Sequence, residues 1–255
     1  MPIKEVGKFS VSYLQILDEN GNVDSALEPD LSDDRLIYAY ESMVLAREAD
    51  ARMLKLQRQG RIGTFPPSTG EEAAVVGPGL AMTEKDWYVG CFRDLGLRLM
   101  RGGIAGAILT SITRVLKRGN VNDGAPRTLP MVVPIASHIP HATGVAYAMQ
   151  YKGEKDAAVV TTFGDGATSE GDFHEAVNFA AVWDSPVVFI CINNHWAISV
   201  PLSKQMKSRT VAQKPSPTIF RAYRWTATTC WPCTRRRRRR WSARGPVKAR
   251  RSSRR

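Results

Sequence analysis

Beyond residue 32, apolar side chains fall at helical intervals. Leu36, Tyr40, Met43 and Val44, then Met53, Leu54 and Leu56, mark one face of a 3.6-residue repeat. Ser32 stands where a capping hydroxyl belongs, Asp33 and Asp34 suit the positive end of a helix dipole, and Gly60 suits its stop. The pattern predicts a helix over 32–60. "RIGTFPPSTGEEAA" reads as a loop running into a second helix from about Gly70. "DWYVGCFRDLG" reads as a short strand leading into a loop, "GLRLMRGGIAGAILTSI" as a helix, "RGNVNDGAPRT" as a surface loop, and "SHIPHATGVAYAMQYKG" as a helix entered near Pro140. The period then changes. Residues 157–163 and 187–192 are near-continuous apolar runs, separated by a helical stretch that opens at Gly171 and Asp172. Strand, helix and strand in that order predict a parallel sheet whose strands are covered on both faces.

Two segments stand apart. Residues 1–30 carry turn signals such as "DENGN" and predict an irregular extension. Residues 215–255 show no amphipathic period and predict a disordered tail, which leaves 31–214 as the folded unit. Within that tail six consecutive arginines occupy 235–240, close to Cys230 and Cys233. The whole chain of 255 residues carries +12, which suggests a polyanionic partner. The distribution removes that suggestion. Residues 215–255 hold 14 Lys and Arg and no acid, so the +12 of the chain becomes −2 for residues 1–214. The body gives no electrostatic reason to bind nucleic acid. No apolar run spans a bilayer and the N-terminus has no signal-like apolar core, so a cytoplasmic location with no membrane contact is the expectation. Of the four cysteines, Cys91 and Cys191 are scattered and only Cys230 and Cys233 are closely spaced, which makes no disulfide framework.

The chemistry lies at the strand ends. "GDG", Gly164-Asp165-Gly166, closes the first apolar run, and "NN", Asn193-Asn194, closes the second. Ligands of open parallel sheets bind at that carboxyl edge. A carboxylate and an amide oxygen delivered there suit Mg²⁺, which fills the rest of its octahedron with phosphate oxygens and water. The glycines permit close backbone approach, and the helix opening at Gly171 points its positive end at a phosphate. A pair of ordinary polar turns is the competing reading of either motif alone.

The unit resembles the thiamine diphosphate motif, and the likeness runs further. "GDGATSEGDFHEAVNFAAVW", "SPVVFICINNHWAISVPLSKQ" and "LQRQGRIG" are similar to the α subunit of the decarboxylating component of 2-oxoacid dehydrogenase complexes, over about residues 30–214. The resemblance implies an α/β thiamine diphosphate-binding fold, a parallel sheet flanked by helices and incomplete at the C-terminus. It implies Asp165, Asn194 and the main-chain carbonyl of Trp196 as Mg²⁺ ligands, with Gly164, Gly166 and Ala167 against the diphosphate. It implies Arg93 on diphosphate oxygens, and Phe92 in place of a tyrosine, its ring kept and its hydroxyl lost. Ser137 and Ile139, within "IASHIPHA", would give main-chain contacts beside the pyrimidine. His138 becomes a catalytic candidate; the alternative is a capping or solvent-facing imidazole. The implied assembly has two α and two β chains, with a β-subunit glutamate activating the cofactor and a lipoyl arm of the acyltransferase core receiving the acyl group. Pyruvate is the favoured substrate and branched-chain 2-oxoacids the alternative.

The resemblance also reinterprets the arginines. Given suitable synonymous codons, "CTRRRRRRW" read one base out of frame becomes "VYAATKEAV", and "WSARGPVKARRSSRR" becomes "VERARAGEGPTLIEA", which resemble the family's continuation. The tail is therefore expected to be an out-of-frame translation beginning near Lys214 and Pro215, and the truncated chain to be inactive. A binding protein with a native arginine-rich, nucleic-acid-binding tail is the competing class.

Overall fold

The computed structural model describes Ile3, residues 10–103 and 125–215, and the backbone of 223–225. Its centre is a three-stranded parallel sheet in the order β2–β3–β4, formed by Trp87–Val89, Val159–Gly164 and Val187–Ile192. Val160 lies opposite Tyr88 and Val188, and Gly164 opposite Ile192.

Strand alternation explains why β3 is apolar without interruption. Val159 packs with Ala142, Ala146, Met149 and Ala180 on one side, while Val160 packs with Val75, Tyr88, Leu97 and Ile190 on the other. Helices cover both faces. On the Val159 side lie α4 (His138–Tyr151) and α5 (Gly171–Val182). On the Val160 side lie α2 (Glu72–Ala81) and α3 (Leu95–Met100), with α1 (Asp33–Arg58) packed against both. The expected parallel sheet flanked by helices is thus present.

Most boundaries agree with the hydrophobic pattern to within two residues. Ser32 is the N-cap of α1, but its side chain makes no capping hydrogen bond. Gly60 follows the helix at φ 69°, the left-handed conformation that suits glycine. A three-residue strand, β1 (Ser12–Leu14), lies in the supposedly irregular N-terminal extension. Its parallel partner is β7 (Tyr223–Trp225), inside the segment predicted to lack regular structure. The six arginines, Cys230 and Cys233 lie outside the described residues, as does most of the loop predicted after α3.

Beyond β4 the chain makes a small antiparallel hairpin, β5 (Trp196–Ala197) and β6 (Val200–Pro201), followed by the short α6 (Leu202–Gln205). On the far surface of α4 and α5, Tyr147, Tyr151, Phe179, Val182 and Trp183 are exposed together. Trp183 contacts both Tyr147 and Phe179, with ring centroids 4.7 and 4.8 Å apart.

Candidate active site

The carboxyl ends of β3 and β4 are adjacent, so the two motifs meet. After Gly164 the chain enters a 3₁₀ turn, Asp165–Ser169, which places Asp165 at the sheet edge with 1% of its surface exposed. Polar contacts fix this turn. Gln205 Nε2 donates to the Asp165 carbonyl at 3.0 Å, Thr168 Oγ1 donates to the same oxygen at 2.7 Å, and Lys214 Nζ donates to the Thr168 carbonyl at 2.6 Å. The side chain is treated differently. Asp165 Oδ2 is buried without a hydrogen-bond partner. Burial pushes the Asp165 carboxyl above its ordinary range, against the opposing pull of His195, Lys214 and Arg93.

The hairpin lies over this turn. A Cβ on Gly166 would stand 3.0 Å from the Ala197 Cβ, so glycine is what permits the approach. His195 and Ile198 hold positive φ, 69° and 57°, and for a β-branched residue such as Ile198 that conformation is strained. Strain of this kind clusters at ligand-binding segments. Asn194 and Trp196 are both exposed here. Asn194 Oδ1 accepts the Trp196 N–H at 3.0 Å, and its Nδ2 donates to Glu71 Oε1 at 2.8 Å.

Glu71 belongs to a loop that braces two sides of the site. Asp50 of α1, 1% exposed, accepts the Ser68 N–H and hydroxyl through Oδ1 at 2.8 and 3.0 Å, and the Thr69 hydroxyl through Oδ2 at 2.8 Å. The neighbouring Pro67 carbonyl accepts Arg93 Nε at 3.1 Å, and the Arg93 guanidinium lies 5.6 Å from the centre of the Phe92 ring. Burial raises the Glu71 carboxyl, while the Asn194 hydrogen bond and the Arg93 charge oppose the rise. Asp165, Asn194, Arg93 and Glu71 therefore form one polar neighbourhood.

Phe92 and Arg93 are anchored from below. Thr162 of β3 donates to Asp94 Oδ2 at 2.6 Å and shares a 2.8 Å hydrogen bond with the Tyr88 hydroxyl; the Cys91 N–H also donates to Asp94 Oδ2, at 2.6 Å. Tyr88, Asp94 and Thr162 are all buried.

The "IASHIPHA" segment takes another position. Ser137 Oγ donates to the Pro134 carbonyl at 2.9 Å. Ile139 is fully buried against Phe163, Ala167 and Phe173, and so backs the Asp165 turn from the core. His138 is neither a cap nor solvent-facing. It is 2% exposed, and its Nε2 pairs with the Thr162 carbonyl at 2.8 Å, which makes Nε2 the protonated nitrogen. Burial lowers its pKa, so the ring is held neutral in the seam between α4 and β3.

Comparison with known proteins now gives this geometry a family. Residues 40–218 match the Dehydrogenase E1 component. The chain belongs to the dehydrogenase E1 family. Among E1 relatives, the 3-methyl-2-oxobutanoate dehydrogenase subunit alpha of Mycobacterium tuberculosis is 42% identical over 189 residues, 72% of this chain and 50% of that protein. The pyruvate dehydrogenase E1 component subunit alpha of Staphylococcus aureus is 39% identical over 203 residues, 79% of this chain and 54% of that protein. The chain thus spans about half the length of the curated E1 relatives it matches.

A cation bound through thiamine diphosphate fits the residues present. The buried, unpartnered Asp165 Oδ2 is the kind of oxygen that a hard cation satisfies, and the Asn194 amide stands in the same polar neighbourhood. No helix among the described residues is long and apolar enough to cross a membrane.

Proposed function

We propose that this chain acts as the α subunit of a 2-oxoacid dehydrogenase, binding Mg²⁺ and thiamine diphosphate for oxidative decarboxylation of pyruvate. The observation that carries the reading is the buried, unpartnered Asp165 Oδ2 at the sheet edge, within one polar neighbourhood with Asn194 and Arg93. When bound, thiamine diphosphate supplies an electron sink for the pair released as CO₂ leaves. The protein's own residues bind and orient it. Asp165, Asn194 and the Trp196 carbonyl would hold the Mg²⁺, and Arg93 would take diphosphate oxygens in a charge-assisted contact. Phe92 and the Ser137–Ile139 main chain would flank the cofactor. His138, buried and neutral, holds the "IASHIPHA" segment onto β3 through the Thr162 carbonyl; this supports a positioning role over proton transfer.

The partners follow from the same reading: a β subunit in a tetramer of two α and two β chains, and the lipoyl acyltransferase core. The exposed cluster of Tyr147, Phe179 and Trp183 suits such a subunit contact. Branched-chain 2-oxoacids are the second substrate reading, favoured by the 42% identity to the mycobacterial subunit. Residues 215–255 are read as an out-of-frame translation, although Tyr223–Trp225 pairs with β1.

The test is calorimetric titration of Mg²⁺ and thiamine diphosphate into the chain and its Asp165→Ala variant; equal affinity in the two would sink the assignment. Co-expression with the neighbouring β subunit, of this chain and of one restored by a single base near codon 215, then compares turnover of pyruvate and of a branched-chain 2-oxoacid. Equal activity of the two chains would show the arginine tail to be native.

A further inference from the structure

Asn194 is an amide, and an amide can face a cation in two ways that differ by a half-turn. Only one of them offers oxygen. Two contacts choose between them. The Trp196 N–H donates to one end of the amide at 3.0 Å, and Glu71 Oε1 accepts from the other at 2.8 Å. Turning the amide over would set its NH₂ against the Trp196 N–H and its oxygen against the Glu71 carboxylate, so both contacts would become repulsive. The Trp196 bond uses one lone pair of Oδ1 and leaves the second.

Glu71 is well placed to hold this choice. It is the N-cap residue of α2, its N–H donates to the Ser68 carbonyl at 2.9 Å, and Ser68 is itself tied to the buried Asp50. A carboxylate reached from α1 through Ser68 and Glu71 thus meets a side chain 123 residues further along.

We propose that Glu71 is a positioning residue: by accepting from Asn194 Nδ2 it locks the amide with Oδ1 toward the cation. This rests on the reading of Asp165 and Asn194 as cation ligands. Groups that orient metal ligands in this way change metal affinity by about 10–100-fold when removed.

The experiment measures Mn²⁺ affinity by electron paramagnetic resonance on the full chain, with thiamine diphosphate saturating and Mn²⁺ standing for Mg²⁺. Thermal unfolding confirms that each variant is folded. Glu71→Ala should weaken Mn²⁺ binding about 10–100-fold. Glu71→Gln, whose amide oxygen can still accept from Asn194 Nδ2, should stay close to the unmodified chain. If Glu71→Ala binds as tightly as the unmodified chain, Glu71 orients nothing. If Glu71→Gln loses as much as Glu71→Ala, the effect is one of charge and the orienting role is overturned. If the unmodified chain itself binds no Mn²⁺ with thiamine diphosphate, the reading of the site fails, and this proposal with it.

Discussion

Replacing Asp165 by asparagine should stabilise the metal-free protein while removing its affinity for the cation. The side chain is 1% exposed and Oδ2 has no hydrogen-bond partner, so the fold maintains a charge in a place that disfavours charge. An unsatisfied buried polar group costs about 1–3 kcal/mol. The charges of His195, Lys214 and Arg93 offset part of this, yet burial prevails and the carboxyl pKa stands above its ordinary 3.8. A folded value above the unfolded one means that the charge costs nothing below pH 3.8 and that the cost appears as pH rises through the folded value. Asparagine removes the charge and with it the charge's share of this cost, although its amide remains a buried polar group. For a chain of this size each 1 kcal/mol moves the unfolding midpoint by about 2–4 °C, so Asp165→Asn should melt a few degrees higher at pH 7.5 in EDTA. The advantage should shrink as the pH is lowered. With Mg²⁺ and thiamine diphosphate at about 100 times their dissociation constant, the unmodified protein should gain about 2.7 kcal/mol and overtake the variant. A variant midpoint equal to or below the unmodified one at pH 7.5 in EDTA would refute the claim that Asp165 is held against its preference.

Other substitutions probe the neighbouring pieces. Arg93→Ala should weaken thiamine diphosphate binding by about 1.5–3 kcal/mol in calorimetry, the worth of a hydrogen bond to a charged group; lost turnover with unchanged affinity would assign Arg93 to the substrate. Gly166→Ala sets a methyl 3.0 Å from the Ala197 Cβ and requires the hairpin to give by a few tenths of an ångström, so Mg²⁺ affinity should fall while the core stays intact; unchanged affinity would show that the hairpin has slack. His138 has a folded pKa below its ordinary 6.5, so its contribution is complete above that pH and is lost as pH falls toward the folded value. Urea unfolding between pH 5 and 8 should show this loss in the unmodified chain and less of it in His138→Gln; identical slopes would place the titration elsewhere.

The central strands and the helices that cover them were legible because they rest on local patterns, although the helix expected over "GLRLMRGGIAGAILTSI" stops at Met100, before Gly102 at φ 85°, and the hairpin beyond β4 was read as a loop. The uninterrupted apolar run of β3 announces burial on two faces, and Val159 and Val160 do pack into opposite cores. "GDG" and "NN" were legible as strand ends, and parallel register brings Gly164 beside Ile192. What sequence reading missed depends on distance along the chain. The acid that meets Asn194 is 123 residues away, and "GEE" at a helix start looks like ordinary dipole compensation. The capping or solvent-facing alternative for His138 failed for a related reason. A histidine before a helix reads as a cap, and only the packing of α4 on β3 turns it inward to the Thr162 carbonyl. The pairing of Ser12–Leu14 with Tyr223–Trp225 had no signal, since neither segment alternates strongly enough to mark a strand. The Asp94 anchor could have been suspected from an acid placed immediately after Phe92-Arg93, but its partner Thr162 could not.

Lys214 gives the molecule a natural cutting point. Its ammonium reaches back to the Asp165 turn, at 2.6 Å from the Thr168 carbonyl and 2.7 Å from the Thr168 hydroxyl. A fragment ended at residue 213 would leave that corner without its cation, whereas one ended at 214 would retain it. The arginine-rich sequence lies further along the chain than this contact. Anyone grafting a different continuation onto the chain can therefore splice after Lys214 and leave every contact described for the turn in place.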